Sequence, residues 1–225
     1  MVAAQFTDRW LLWQLADSAF PAGAFAHSGG LESAVQHGTI TTEQSLRNFI
    51  IHSLSQLAHG ALPVVRAVAS GIDLAEADAL WHSHLVNHVA RRASTALGRA
   101  LVSSAARAFP EPALARLKRE LRDDSIIGHQ ASCWGAVCQA LDIDCDDAME
   151  LFAFMAARDL LSAAIRLNAC GPVAAQGLLR TASEQAARAC VVARERNWRE
   201  PQQTAPLIDL WQGRHDHLYS RLFQS

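Results

Sequence analysis

Apolar residues recur at intervals of three and four along most of this chain, which is the spacing of an α-helix with one buried face. Ala, Leu, Arg, Glu and Gln dominate, and all five favour helix. Strand signals are scarce, because no Asn-Gly or Asp-Gly hairpin turn and no clean alternation of β-branched residues occurs. We predict an all-α fold, a single-domain helical bundle of about 8–10 helices.

Capping residues indicate where several of these helices begin. The first helix is predicted from about Asp8 to Asp17, where it carries apolar residues on nearly all sides. Thr41 followed by Gln44 resembles a capping box, and Asp73 followed by Glu76 is a second start signal. These helices are expected to supply most of the core.

Two further stretches depart from regular helix. The helical pattern from Leu74 to Phe109 is expected to break near Arg91–Gly98. The last stretch contains two prolines and a glycine, so we predict a domain over residues 1–200 and an extended C-terminal tail over residues 201–225. Binding of a partner is expected to order that tail.

Charge and cysteine usage exclude several classes of protein. Twenty Lys and Arg against 22 Asp and Glu give a net charge of -2, so a nucleic-acid partner is not expected. No apolar run approaches the roughly 20 residues that span a bilayer, and no secretory signal opens the sequence. Five cysteines without CxxC spacing favour free thiols. We therefore expect a cytoplasmic protein without a membrane partner.

Motifs that carry catalytic chemistry are missing from the sequence. Neither a GxSxG nucleophile elbow nor a GxxxxGK[ST] phosphate loop occurs. His84 and His88 lie four apart and could face one metal ion, but a third ligand is missing, and solvated histidines are the simpler interpretation. His215 and His217 form a similarly weak pair. These patterns favour a binding or assembly protein over an enzyme.

Two features leave a structural and a functional interpretation open. Arg166 lies near the end of an apolar helix, where it either caps carbonyl groups or faces another protein. The segment 218–223 is aromatic and apolar, and it either docks on its own domain or orders on a partner.

Four stretches, in order, resemble the urease accessory protein UreF family. They are Pro21-Ala22-Gly23-Ala24-Phe25-Ala26-His27-Ser28-Gly29-Gly30-Leu31-Glu32, Arg91-Arg92-Ala93-Ser94-Thr95-Ala96-Leu97-Gly98-Arg99, Ser162-Ala163-Ala164-Ile165-Arg166-Leu167 with Gly171 and Gln176, and His215 to Ser225. Asp216 stands where the family pattern has Glu. Together the matches span nearly the whole chain.

The resemblance implies an all-α protein that forms a homodimer and acts as a non-catalytic scaffold. A UreF-like protein is expected to bind the accessory protein UreD (also called UreH) and to recruit the GTPase UreG. The assembly then delivers nickel to apo-urease in a GTP-dependent step. It also implies no tightly bound cofactor, with nickel only in transit and a transient contact at His215 or His217.

The matched motifs supply two sets of candidate residues. Those expected to bind partners are Glu32, Arg91, Arg99, Arg166, Gln176, His215, Tyr219, Arg221, Leu222 and Phe223. Those expected to shape the backbone and core are Pro21, Gly23, Phe25, Ser28, Gly30, Leu31, Ser94, Gly98 and Gly171.

Two alternatives to the scaffold remain. One is a direct regulator that contributes an arginine such as Arg166 to GTP hydrolysis by UreG. The other is a helical metal-storage or sensor protein that uses His84, His88 and the histidine pair of the tail.

Overall fold

The computed structural model describes the backbone of residues 2–225 and the side chains from residue 9 onward. This part of the chain contains helices and no strand, so the all-α prediction is confirmed, with eleven α-helices where 8–10 were expected. The helices are α1 (Val2–Ala16), α2 (Leu31–Gln36), α3 (Glu43–His59), α4 (Ala61–Ala69), α5 (Leu74–His84), α6 (His88–Ala108), α7 (Pro112–Arg122), α8 (Gln130–Ala140), α9 (Cys145–Arg166), α10 (Pro172–Arg194) and α11 (Pro206–Arg214). Two 3₁₀ turns, Ala24–Ala26 and His215–His217, complete the described chain.

The core is built around α4, which is apolar on nearly every side because other helices surround it. Leu62, Val64 and Val65 are completely buried there. Helix α8 packs closely on α4 at Gly135, where an added Cβ atom would lie 2.7 Å from the Val65 carbonyl oxygen. The indole of the buried Trp134 donates a hydrogen bond of 2.8 Å to the Ala148 carbonyl, which ties α8 to α9.

Helix starts follow the capping chemistry, with two corrections. Asp73 caps α5 as predicted, since its carboxylate accepts from the Glu76 amide at 2.9 Å. The capping box of α3 is formed by Thr42 and Ser45, one residue beyond the predicted pair, because Ser45 bonds back to the Thr42 amide. The first helix starts at Val2, earlier than predicted.

The predicted break near Arg91–Gly98 is also wrong, because that segment lies inside α6. The chain breaks at residues 85–87, where the Asn87 side chain accepts from the amides of Val89 and Ala90 and so starts α6. Asparagine is a favoured capping residue, and it breaks the helix here without glycine or proline.

Residues 201–225 are not extended over their whole length, since they include α11 and a 3₁₀ turn. The Gln202 amide donates to the His59 carbonyl at 2.8 Å, and α11 packs on α2 and α6. The tail therefore docks on its own domain; its ordering by a partner stays a prediction. None of the described helices combines the length and the apolarity that crossing a membrane requires.

Candidate partner-binding site

Glu32 is the residue on which the docked tail converges. It lies in the first turn of α2, and its amide is bonded to Ser28 Oγ at 3.4 Å. Its buried carboxylate accepts from the amides of Leu222 at 2.6 Å and Phe223 at 3.2 Å. His215 Nε2 donates to the same carboxylate at 3.0 Å. A buried charge requires such donors, so Glu32 and the tail depend on each other.

A second anchor lies beside Glu32, where the end of the tail runs along the loop before α2. The Ser28 amide donates to the Ser225 carbonyl at 2.6 Å, and the Gln224 amide donates to the Ala26 carbonyl at 2.8 Å. His27 Nδ1 and Ser225 Oγ are hydrogen-bonded at 2.5 Å. Burial lowers the pKa of His27, and the positive charges of Arg92 and His215 lower it further. His27 therefore favours its neutral form in this contact.

Asp216 joins the tail to α6 at the surface. Arg92 donates to its two carboxylate oxygens at 2.7 and 3.1 Å, and His88 Nε2 lies 3.2 Å from one of them. Arg221 is 3.5 Å away. The hydrogen bond from Arg92 lowers the pKa of Asp216 to about 2, so the carboxylate stays charged at neutral pH. The bidentate Arg–carboxylate geometry fixes orientation as well as charge.

Arg166 holds the tail through a stacked arrangement of side chains. Its guanidinium carbon lies 3.8 Å from the Phe25 ring centroid and 4.2 Å from that of Phe223, and it donates to the Phe25 carbonyl. Planar guanidinium groups stack well on aromatic faces. Arg166 thus links α9, the loop before α2 and the tail and stays partly exposed. This tertiary contact was not among the predicted interpretations, and a partner contact at Arg166 stays a prediction.

The glycines of the first motif allow the backbone to turn and α11 to approach. Gly23 and Gly30 have φ of 81° and 89°, which side-chain-bearing residues rarely adopt. A Cβ atom on Gly30 would lie 2.9 Å from the Gln212 amide nitrogen of α11. Leu31 is completely buried, and the Pro21 carbonyl accepts from Ser104 at 2.7 Å. Gly23 and Gly30 thus shape the backbone, and Leu31 lies in the core.

The mid-chain motif lies on α6 and holds the segment that leads into α8. Arg99 donates to the carbonyls of Leu121 at 3.1 Å and Ile127 at 3.2 Å and to Asp124 at 3.0 Å. Arg91 donates to the Leu85 carbonyl. Both arginines were predicted to bind partners and are engaged within the chain, so that role stays a prediction.

Ser94 and Gly98 lie on the side of α6 that faces the start of α8. Ser94 Oγ accepts from the Gln130 amide at 3.2 Å. An added Cβ atom on Gly98 would lie 2.8 Å from the His129 carbonyl carbon and still closer to the Gly128 carbonyl oxygen. Only a residue without a side chain fits this crossing.

Gly171 and Gln176 lie at the start of α10, which packs against α3 and α9. Gly171 caps the helix in an extended conformation before Pro172. Gln176 is exposed to solvent. A partner contact at Gln176 therefore stays a prediction, on a face other than the one that α10 buries.

Four contributors to the site were not predicted as candidates from the sequence. They are His27, Arg92, Asp216 and Ser225, all of which lie inside quoted motifs. An arginine and an aspartate 124 positions apart carry no local signal of pairing. Only the tertiary fold brings them together.

Exposed apolar side chains occur on the docked tail, on α11 and on the loop before α2. Tyr219 is completely exposed, and Leu222 is 52% exposed beside it. Phe25 on the loop and Leu207 and Leu210 on α11 are each at least 60% exposed. We refer to these five residues as the tail surface. Exposed aromatic and aliphatic residues next to arginine are typical of protein interfaces.

Two cavities of about 200 and 260 Å³ border the end of the docked tail, and they share His27, Gln130 and Asp159 in their walls. Phe223 lines the first cavity and Ser225 the second. Burial raises the pKa of Asp159, whereas neighbouring Arg158 opposes this shift. Because tail residues line both cavities, release of the tail would widen access to both.

No group of three or more His, Cys, Asp or Glu side chains is placed to hold a metal ion in the described part of the chain. His215 is completely buried and bonded to Glu32, and His217 is exposed without adding a third ligand. We identify neither as a metal ligand. The transient nickel contact stays a prediction.

Known proteins resemble this chain over most or all of its length. A sequence model of the UreF family matches residues 40–183, more than half of the chain. Urease accessory protein F of Oryza sativa subsp. indica is 36% identical over 219 residues, covering 95% of this chain and 84% of the relative. Urease accessory protein F of Arabidopsis thaliana is 35% identical, covering 100% of this chain and 96% of the relative. Urease accessory protein UreF of Paenarthrobacter aurescens (strain TC1) is 29% identical, covering 97% and 99%.

Proposed function

The chain belongs to the UreF family of urease accessory proteins, and we propose that it is a non-catalytic scaffold that binds a UreD/UreH-type protein and recruits a UreG-type GTPase. The assembled complex delivers nickel to apo-urease in a GTP-dependent step. Nickel is cargo in this scheme, and the chain holds no tightly bound cofactor. The protein acts in the cytoplasm as a homodimer.

The docked tail is the observation that carries this proposal. Its buried anchor at Glu32 holds the segment against the domain, while Tyr219 and Leu222 point outward with most of their apolar surface unused. A tail that served only to complete the core would bury those side chains. Outward apolar residues on a fixed backbone suit recognition by another protein, because little ordering entropy remains to be lost on binding.

We assign the UreD/UreH-type partner to the tail surface. Arg221 on the tail and Arg92 on α6 share Asp216, so the docked segment presents cations as well as apolar side chains. Such an arrangement suits a partner with an apolar patch bordered by carboxylates.

A direct contribution of Arg166 to GTP hydrolysis by UreG is less well supported than a scaffold role of the chain. An arginine that completes another protein's active site must extend into it, whereas Arg166 is stacked between Phe25 and Phe223 and bonded to a carbonyl. Withdrawing it would break both stacking contacts and loosen the tail. We therefore propose that Arg166 supports GTPase recruitment through the shape of this surface.

The first experiment measures binding of the purified full chain to the UreD/UreH homologue from the same source. Tyr219→Ala and Leu222→Ala are each expected to weaken binding about tenfold, since central interface residues contribute more than about 1 kcal/mol. Val173→Ala is the matched control, because Val173 is as exposed but lies on α10. Unchanged binding by both tail variants would place the partner elsewhere.

The second experiment separates recruitment from hydrolysis. The rate of GTP hydrolysis by the UreG homologue is measured in the complex with the unchanged chain and with Arg166→Lys. We expect reduced assembly and unchanged hydrolysis per assembled complex. Intact assembly with a loss of hydrolysis of 10³-fold or more would instead make Arg166 a direct participant.

A further inference from the structure

Helix α10 presents a regular stripe of residues to solvent. The side of the helix that packs on the domain carries Ala175, Ala182 and Ala189, which are buried and lie seven residues apart. The opposite side carries six exposed residues at alternating spacings of four and three, namely Val173, Gly177, Arg180, Glu184, Ala187 and Val191. We refer to these six residues as the α10 stripe. Alternation of four and three is the spacing at which one helix packs lengthwise against another.

The two ends of the α10 stripe are apolar and open. Val173 is 87% exposed and Val191 is 55% exposed, and they lie about 27 Å apart along the helix axis. A Cβ atom added at Gly177 would meet no atom within 4 Å, so the surface between the valines leaves room for a second helix. Burial of the two valine side chains would favour association.

The two central residues of the stripe carry opposite charges. The Glu184 side chain is 80% exposed and forms a loose ion pair of 4.0 Å with Arg188. Arg180 is exposed and donates to the hydroxyl of Ser183 at 3.0 Å. Both charges therefore remain accessible to a further group of opposite sign.

The stripe is complementary to a second copy of itself when the two helices run antiparallel. A single twofold axis that passes beside residue 182 brings three kinds of pair into register: Val173 with the partner's Val191, Gly177 with the partner's Ala187, and Arg180 with the partner's Glu184. Each pair occurs twice, as an interface between identical surfaces requires. A parallel arrangement would instead place Arg180 against the partner's Arg180, which like-charge repulsion disfavours.

We propose that the α10 stripe is the surface through which two copies of this chain pair, with their α10 helices antiparallel about a twofold axis. The inference rests on the proposed homodimer and specifies its interface. Gln176 is exposed at the edge of the stripe, so the partner expected at this position is a second copy of the chain. Because the central pairs are charged and near solvent, pairing should weaken as the salt concentration rises.

Charge reversal tests the pairing, with the dimer dissociation constant of the full chain measured by sedimentation equilibrium. Arg180→Glu is expected to weaken the dimer at least about tenfold, because it places a carboxylate against the partner's Glu184 in both symmetric pairs. Glu184→Arg should have a similar effect, and the double variant Arg180→Glu/Glu184→Arg should restore pairing. Arg116→Glu on α7 is the matched control, since Arg116 is also exposed and also forms a loose ion pair of 4.0 Å. Single reversals that leave the dissociation constant unchanged would overturn the proposal.

Cysteine cross-linking tests the antiparallel register. Val173→Cys and Val191→Cys combined in one chain are expected to form disulfides between copies under mild oxidation, because each new thiol faces the other residue of the partner. Either substitution alone should give no cross-link beyond that of the unchanged chain, since the twofold axis separates the two copies of each position by about 27 Å. A cross-link through one of the single variants would contradict the antiparallel arrangement.

The outcomes distinguish this interface from the homodimer on which it rests. A chain that forms dimers but responds neither to charge reversal nor to the paired cysteines refutes the α10 stripe and leaves the homodimer intact. A chain that is monomeric at every concentration tested refutes both. Binding of the UreD/UreH homologue is measured separately, so neither result decides the scaffold role.

Discussion

The stability of this fold should depend on pH through one buried histidine outside the tail. His129 precedes α8 and is completely buried, with Nε2 hydrogen-bonded to His82 Nδ1 at 2.9 Å and Nδ1 to Ser94 Oγ at 3.1 Å. Burial lowers the pKa of His129 to about 4, with the charges of His82 and Arg91 acting in the same direction and Asp78 opposing them. Protonation of His129 therefore works against the folded state.

The size of the effect follows from the difference between the folded and unfolded states. An unfolded histidine has a pKa near 6.5, so below that pH the unfolded chain binds a proton at this position and the folded chain does not. The contribution of His129 to the free energy of unfolding is fully present above pH 6.5 and is lost as the pH falls towards 4. Between pH 8 and pH 5 this one group is expected to remove about 2 kcal/mol from the free energy of unfolding, rising to about 3 kcal/mol below pH 4.

Urea denaturation at pH 8, 7, 6 and 5 measures this loss. His129→Gln is expected to be less stable at pH 8, because it loses packing and hydrogen bonds, but its stability should fall less on acidification by about 2 kcal/mol. A residual slope is expected, since burial also lowers the pKa of His27 and His59. His52→Gln, an exposed position on α3, serves as control. Equal slopes for the unchanged chain and His129→Gln would refute the reasoning.

Three glycine substitutions test the helix packing that positions the site. Gly98→Ala is expected to lower the free energy of unfolding by about 3 kcal/mol, because its Cβ atom would collide with the Gly128 carbonyl. Gly177→Ala is expected to raise the free energy of unfolding by about 0.5–1 kcal/mol, because Gly177 has open space around it on α10. Thermal denaturation measures both changes. Gly30→Ala should lower the free energy of unfolding by at least about 1 kcal/mol, because alanine is strained at a φ of 89°. It should also speed hydrogen exchange in α11, because its Cβ atom would lie 2.9 Å from the Gln212 amide nitrogen; unchanged exchange would mean that α11 does not depend on this close approach.

Helix starts that depend on a neighbouring side chain could be predicted from the sequence, whereas helices that depend on tertiary packing could not. Asp73 marked its helix start correctly because a carboxylate three residues before an amide satisfies it directly. The break at Asn87 was missed because the surrounding residues favour helix and one asparagine side chain decides the matter. The helix α11 was missed because its stability comes from docking on α2 and α6, which no short stretch of sequence records.

The candidate site shows the same division between local and tertiary information. Sequence motifs nominated Glu32, Arg166 and Phe223 separately, but their meeting depends on contacts between distant segments, such as Glu32 and Phe223, which are 191 positions apart. Arg99 shows the converse, because an arginine in a matched motif was expected to face a partner and instead holds three acceptors of its own chain. The sequence predicts that an arginine binds carbonyl or carboxylate groups, but only the fold shows whether those groups belong to its own chain or to a partner.

Docking of the tail and binding of a partner must influence each other, because both use the same segment. If a partner binds the docked tail, its binding stabilises docking, and by linkage any change that loosens docking lowers the affinity for the partner. If a partner instead binds an extended tail, docking competes with that binding, so a change that loosens docking raises the affinity. Glu32→Gln replaces the charge that holds two tail amides and His215, so it loosens docking in either case. The sign of its effect on partner affinity therefore identifies which form of the tail is recognised, and the outward position of Tyr219 and Leu222 on the docked backbone favours a loss of affinity.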